Sequence, residues 1–144
     1  MLVPTNILVL TDFSEYSDRA LAQALDIAVE YNARVFLLHV VHESFHLSNL
    51  DFTLPKETIQ LMKDGVVPWA KESLQSQLDA FPQAAHIQVT TSVRRGVPYE
   101  EILKEAKDEG IDLIVIASLG RTGIAKYLIG SVARNVLKGA TCPV

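Results

Sequence analysis

Two short segments carry the residue types from which an anion site is made. The first is Leu10-Thr11-Asp12-Phe13-Ser14, which places a carboxylate and two hydroxyls just ahead of a helix start. The second runs Ala117-Ser118-Leu119-Gly120-Arg121-Thr122-Gly123 and resumes at Gly130-Ser131-Val132. Glycines let backbone N–H groups approach a ligand closely, and a helix N-terminus adds unpaired N–H groups with a favourable dipole. The Ser131 hydroxyl and the Arg121 guanidinium could donate to the same anion. The chemistry in view is phosphate binding, although turn and cap roles account for isolated glycines and serines more often. No Gly-Lys-Ser or Gly-Lys-Thr occurs and no Gly-x-Gly-x-x-Gly opens the first helix, which disfavours a P-loop and ordinary dinucleotide binding.

The elements that must position these segments alternate between strand and helix. Ile7 to Leu10 is an unbroken apolar run, as expected for a strand covered on both faces, and Thr11 and Asp12 end it. Ser14 caps a helix with Leu21, Leu25, Ala28 and Val29 on one face, which Asn32 terminates. Val35 to Val41 is a second buried strand. The stretch from His42 to Pro55 has no clean period and reads as a surface excursion. A helix is predicted over Trp69 to Phe81, with an earlier piece from Glu57 to Lys63 set apart by Gly65 and Pro68. Ile87, Val89 and Thr91 alternate with polar neighbours, as an edge strand does. Pro98 opens a helix over Ile102, Leu103 and Ala106, closed by Gly110. Ile111 to Ala117 is the fourth strand, Gly130 to Lys138 the last helix, and Cys142-Pro143-Val144 the first residues of an incomplete fifth strand.

Strands separated by helices require right-handed crossovers, so the chain is expected to form a doubly wound α/β fold, a Rossmann-like parallel sheet with helices on both faces. Ligands of such sheets sit outside the carboxyl ends of strands, where the winding reverses. The 144 residues suit a single domain, which buries roughly 68–70% of its unfolded surface at this length. Hydrophobic residues at 49% and charged residues at 21% exclude a disordered chain. A formal charge of −4 argues against nucleic acid and anionic membranes as partners. Residues 1–11 carry no basic residue and no export signal, apolar runs are too short to span a bilayer, and one cysteine closes no disulfide within the chain. A cytoplasmic protein is expected.

The opening Ile7 to Ser14, the closing Gly120-Arg121-Thr122-Gly123 through Gly130-Ser131-Val132-Ala133, and the final Cys142-Pro143-Val144 resemble the universal stress protein family over the whole chain. The nucleotide-binding branch of that family carries Gly, two residues, Gly, nine residues, Gly and then Ser or Thr. Gly120, Gly130 and Ser131 fit this spacing, while Ala117 stands at the first glycine. The resemblance implies a five-stranded sheet in the order 3-2-1-4-5. It also implies ATP, or AMP or ADP, with Mg2+ or Mn2+ on the phosphates. By position, Thr11 and Asp12 border the adenosine, Leu10 stands at a site position where the family often has proline, and Val40 offers backbone groups to the adenine. Gly120, Arg121 and Thr122 pass near ribose and phosphates, and Gly130, Ser131 and Val132 hold the phosphate chain. Pairing into a homodimer through the fifth strand is implied as well, as is a stress-response or signalling role that leaves room for an unknown protein partner. If position 117 requires a positive φ, its methyl costs on the order of 1 kcal/mol.

Three readings differ in class. The first is a nucleotide-binding module with little turnover, and the second a nucleotide-free interaction protein of the same fold with the pocket closed by Ala117. The third is a slow ATP hydrolase, which lacks a glycine-rich phosphate loop after the first strand and any base beyond Asp12. Other constellations read as structural. His39 and His42 are an odd number apart on a strand and point to opposite faces, so with His46 they do not read as a metal site. Cys142 and Trp69 read as packing, and Glu100 and Glu101 as first-turn acids favoured by the helix dipole.

Overall fold

A computed structural model describes residues 1–42, 55–119 and 129–144. Its strands are β1 (Asn6–Leu10), β2 (Arg34–Val41), β3 (Val89–Arg95) and β4 (Leu113–Val115). Its helices are α1 (Glu15–Tyr31), α2 (Lys56–Asp79), α3 (Pro98–Asp108) and α4 (Ser131–Gly139), with a 3-10 turn at Pro82–His86. The strands form one parallel sheet in the order β3-β2-β1-β4. The expected fifth strand is corrected: among the described residues the sheet has four. Beyond α4 the chain meets the β4 edge through a hydrogen bond from the Ile114 N–H to the Pro143 carbonyl, 2.9 Å. Pro143 has no N–H with which to continue a ladder.

Side-chain alternation along the strands divides the core in two. Ile7, Val9, Val35 and Leu37 pack with Leu21, Ala24, Leu25 and Ala28 of α1 and Leu74 and Leu78 of α2. Leu8, Phe36, Leu38 and Val40 face the other way, against Ile102 of α3 and Val136 of α4. Ile7, Leu8 and Val9 are wholly buried, which explains the unbroken apolar run, and each contributes roughly 2 kcal/mol of burial. From β1 the chain winds outward through β2 to β3, then returns to place β4 on the other side of β1. The winding therefore reverses between β1 and β4.

Several boundaries match local chemistry. The Ser14 hydroxyl accepts from the Ser17 N–H, Asn32 closes α1 in the left-handed region at φ 54°, and β3 lies at the sheet edge. Others are corrected. Val29 is 52% exposed, outside the buried stripe of α1. The two predicted pieces around Pro68 are one helix, because Ile59 on one side and Ala70, Leu74 and Leu78 on the other are all held in the core. That packing offsets the hydrogen bond that proline removes. The third strand begins two residues later than predicted, and β4 is shorter at both ends. No helix among the described residues is long and apolar enough to cross a membrane.

An ionic cluster ties α3 to β3. The Arg94 guanidinium donates to Glu105, to Asp108 at 2.9 Å and to Glu101 at 3.4 Å, and the Ser92 hydroxyl donates to Glu105 at 3.3 Å. Burial works against the charge of Arg94, but the hydrogen bonds it donates to Asp108 and Glu105 outweigh this and raise its pKa. The hydrogen bond from Lys104 lowers the pKa of Glu101 below its ordinary 4.5; burial opposes this, and Arg94 adds a further lowering.

Three outcomes follow from this architecture. Arg94→Met leaves Glu105, 4% exposed, without its ionic partner and is expected to cost about 3 kcal/mol in urea unfolding. Adding Glu105→Leu should recover most of that loss, and equal losses for the single and double variants would contradict the assignment. Because the folded-state pKa of Glu101 is depressed, its contribution is present above the unfolded value and is lost as pH falls through the folded one. Glu101→Gln should therefore flatten the decline of stability below pH 4.5. Gly110 stands at φ +60° with open space where a side-chain methyl would point, so Gly110→Ala should cost about 1 kcal/mol through the backbone, read as a lower thermal midpoint.

Candidate functional site

The reversal between β1 and β4 opens a cavity of about 280 Å³ at the carboxyl edge of the sheet. Leu10, Thr11, Asp12, Val40, Ala117, Gly130, Ser131 and Val132 all line it, so eight residues drawn from four separated segments meet in one place. Gly120, Arg121 and Thr122 lie outside the described residues. The cavity also takes in Ser17, His39, Pro98, Ile116, Ser118, Leu119 and Ala133, which the sequence did not single out as site residues. Pro98 enters because α3 begins beside the end of β2. Its start is a helix signal in the sequence, but its convergence on the cavity is a property of the fold.

The β1–α1 turn is held by its own polar groups. The Asp12 carboxylate accepts from the Ser14 N–H at 3.0 Å and from the Ser17 hydroxyl at 3.1 Å. The Thr11 hydroxyl accepts from the Phe13 N–H at 3.0 Å and lies 3.0 Å from the buried Ser17 hydroxyl. Between them Phe13 occupies the left-handed region at φ 64°, a conformation that costs a non-glycine residue on the order of 1 kcal/mol. Its ring lies 4.5 Å from that of His39 and 5.5 Å from that of Trp69, between centroids. Packing against these rings compensates the backbone strain. Trp69 thus does pack, although 49% of it remains exposed.

α4 has Gly130 at its N-cap, among the described residues no side chain caps it, and the Gly130 N–H donates to the Ser118 carbonyl at 2.6 Å. The first-turn N–H groups of α4 are those that an anion would satisfy. Leu10, Val40, Pro98, Ile116 and Val132 supply apolar wall to the cavity that Asp12 and this helix start also line. Such a lining can take a ligand that joins an apolar body to polar and negative groups. Ala117 is on the wall, and Phe13 and Asn32 are the non-glycine residues at positive φ among those described. Ala117 therefore adopts its conformation without strain, and its methyl matters only where it meets a ligand.

Among the described residues no group of three or more His, Cys, Asp or Glu side chains is placed to hold a metal ion. His39 is half-buried and His42 exposed at the end of β2. Cys142 packs against the core face shared by α3 and α4, and burial pushes its thiol pKa up, away from the thiolate a nucleophile requires.

Residues 4–144 match the universal stress protein family. The chain is 34% identical over 143 residues to the universal stress protein YxiE of Bacillus subtilis, covering 95% of this chain and 94% of that one. The solved structure of the hypothetical protein MJ0577, from Methanocaldococcus jannaschii, superposes with a TM-score of 0.82 at 31% identity, covering 99% and 94% of the two chains. A universal stress protein in complex with cAMP shares the fold at a TM-score of 0.70 and 23% identity, covering 99% and 95%. With nearly the whole length matched and the doubly wound sheet in place, this chain belongs to the universal stress protein family.

Proposed function

We propose that the cavity between β1 and β4 binds an adenine nucleotide, ATP or its AMP or ADP relative, and that the protein is a stress-response or signalling module with little turnover. One observation carries the reading: Asp12 and the start of α4 at Ser131 line one cavity whose wall is mostly apolar. The apolar wall suits the base, Asp12 suits ribose hydroxyls as an acceptor, and the α4 amides with the Ser131 hydroxyl suit phosphate. The cAMP found on a relative of the same fold is a ligand of this chemical class. The nucleotide-free reading needs Ala117 to close the pocket, whereas Ala117 here borders open space.

A divalent cation, Mg2+ or Mn2+, would be held mainly by the phosphates. Asp12 is the carboxylate among the described lining residues, a donor set sparse enough to need the nucleotide's own oxygens. The cation would screen phosphate charge. Turnover is not part of the proposal, because Asp12 is already engaged by Ser14 and Ser17, and His39, also on the lining, has its Nδ1 on the Thr11 carbonyl. Cytoplasmic residence and a homodimer formed through the closing Cys142-Pro143-Val144 segment beside β4 complete the reading.

The direct test is mass spectrometry of natively purified, then denatured protein, together with calorimetry of ATP with magnesium. An adenine nucleotide should copurify or bind. Asp12→Asn keeps an oxygen for the Ser14 N–H while removing the charge, and Ser131→Ala removes one phosphate donor; each should weaken binding about tenfold, equivalent to about 1.4 kcal/mol. No copurified nucleotide and no binding heat would overturn the proposal.

A further inference from the structure

His39 sits at the carboxyl end of β2, on the sheet face of Val35 and Leu37, where the strand meets the β1–α1 turn. Its Nδ1 is 2.8 Å from the backbone carbonyl of Thr11. A carbonyl only accepts, so Nδ1 carries the proton and donates; the tautomer is assigned by that partner. Thr11 is 1% exposed, and this carbonyl is followed in the chain by the Asp12 backbone. The same imidazole stacks at 4.5 Å on Phe13, whose backbone is held in the left-handed region, and approaches Trp69 edge-on at 6.2 Å. One side chain from β2 thus touches the turn twice: once at the peptide before Asp12 and once at the ring after it.

We propose that His39 is a positioning residue for the nucleotide site, holding the Thr11–Asp12 peptide by its Nδ1–H so that the Asp12 carboxylate keeps its orientation toward the cavity. The inference rests on the reading of that cavity as an adenine-nucleotide site. The Thr11 N–H already donates to the Leu38 carbonyl of β2 at 2.9 Å, on the peptide before Thr11, and the turn's side-chain hydrogen bonds come from its own residues and from Ser17. They fix the turn's internal shape. The bond from His39 adds a second tie to β2, at the Thr11–Asp12 peptide that the backbone bond does not reach, and β2 also supplies Val40 to the cavity wall. Without it the buried Thr11 carbonyl loses its side-chain partner, and rotation of the peptide that follows would carry Asp12 away from the cavity. The ring packing has a separate role: it holds Phe13 in place but gives no hydrogen bond to the turn.

Two substitutions separate the hydrogen bond from the ring. His39→Asn loses the imidazole but keeps an N–H donor near the position of Nδ1, whereas His39→Leu keeps apolar bulk and loses the donor. Calorimetry with ATP and magnesium should find affinity reduced roughly tenfold in His39→Leu and within about twofold of the unsubstituted protein in His39→Asn, the range of one hydrogen bond. Amide hydrogen exchange at Phe13 and Ser14 should quicken in His39→Leu and return toward its original rate in His39→Asn. Equal losses in both variants, or none in His39→Leu, would overturn the positioning role. If the unsubstituted protein binds no nucleotide, the cavity reading fails by itself, and the exchange rates still decide whether His39 holds the turn.

Discussion

The whole arrangement depends on β1 being buried on both faces and paired on both edges. Ile7, Leu8 and Val9 have no solvent contact, and the strand is in parallel register with Arg34–Leu38 on one side and Leu113–Val115 on the other. Parallel pairing puts all three carboxyl ends at one edge of the sheet. Thr11 and Asp12 then leave β1 beside the Ala117 segment leaving β4, and Val40 stands at the end of β2. Shifting β1 by one residue would exchange its two core faces and remove these neighbours from one another. The cavity is therefore a consequence of strand register before it is a consequence of any side chain within it.

Further constraints act through that register. At the opposite edge, the Asp112 carboxylate accepts from the N–H groups of Thr5 at 2.9 Å and of Asn6 at 3.2 Å, fastening the entry of β1 to the segment that leads into β4. Arg94 fastens α3 to β3 through three carboxylates, and α3 begins at Pro98 on the cavity wall. The site is thus set by contacts outside it at both ends of the sheet. Within it, the β1–α1 turn carries the one aromatic residue at positive φ, Phe13, among those described. A strained position next to a ligand-type carboxylate is where local rules and function commonly part.

Much of this was legible because the relevant signals are local. Unbroken apolar runs marked β1 and β2, Ser14 and Asn32 marked the ends of α1, and Pro98 and Gly110 bracketed α3. The two chemical segments were readable as residue types, and the family resemblance supplied their adjacency along with Val40. What escaped depends on distance in the chain. Nothing near Pro68 shows that buried residues on both sides will keep one helix intact, nor does any short pattern join Asp112 to Thr5 or Arg94 to Asp108. His39 read as one of three histidines that do not form a metal site, and its tie to Thr11 needs two strands already in register. The fifth strand was an overextension of the resemblance, since the three closing residues reach β4 through a proline carbonyl.

Adenine-nucleotide binding is proposed for one cavity, made by the reversal between β1 and β4. Its most direct measurement is a nitrogen–proton correlation spectrum of the labelled protein during titration with ATP and magnesium. Saturable shifts are expected at the amides of Thr11, Asp12, Val40, Ala117, Ser131 and Val132, with three of the strand ends and the start of α4 moving together. Shifts centred on another surface, or a spectrum unchanged at saturating nucleotide, would contradict the proposal.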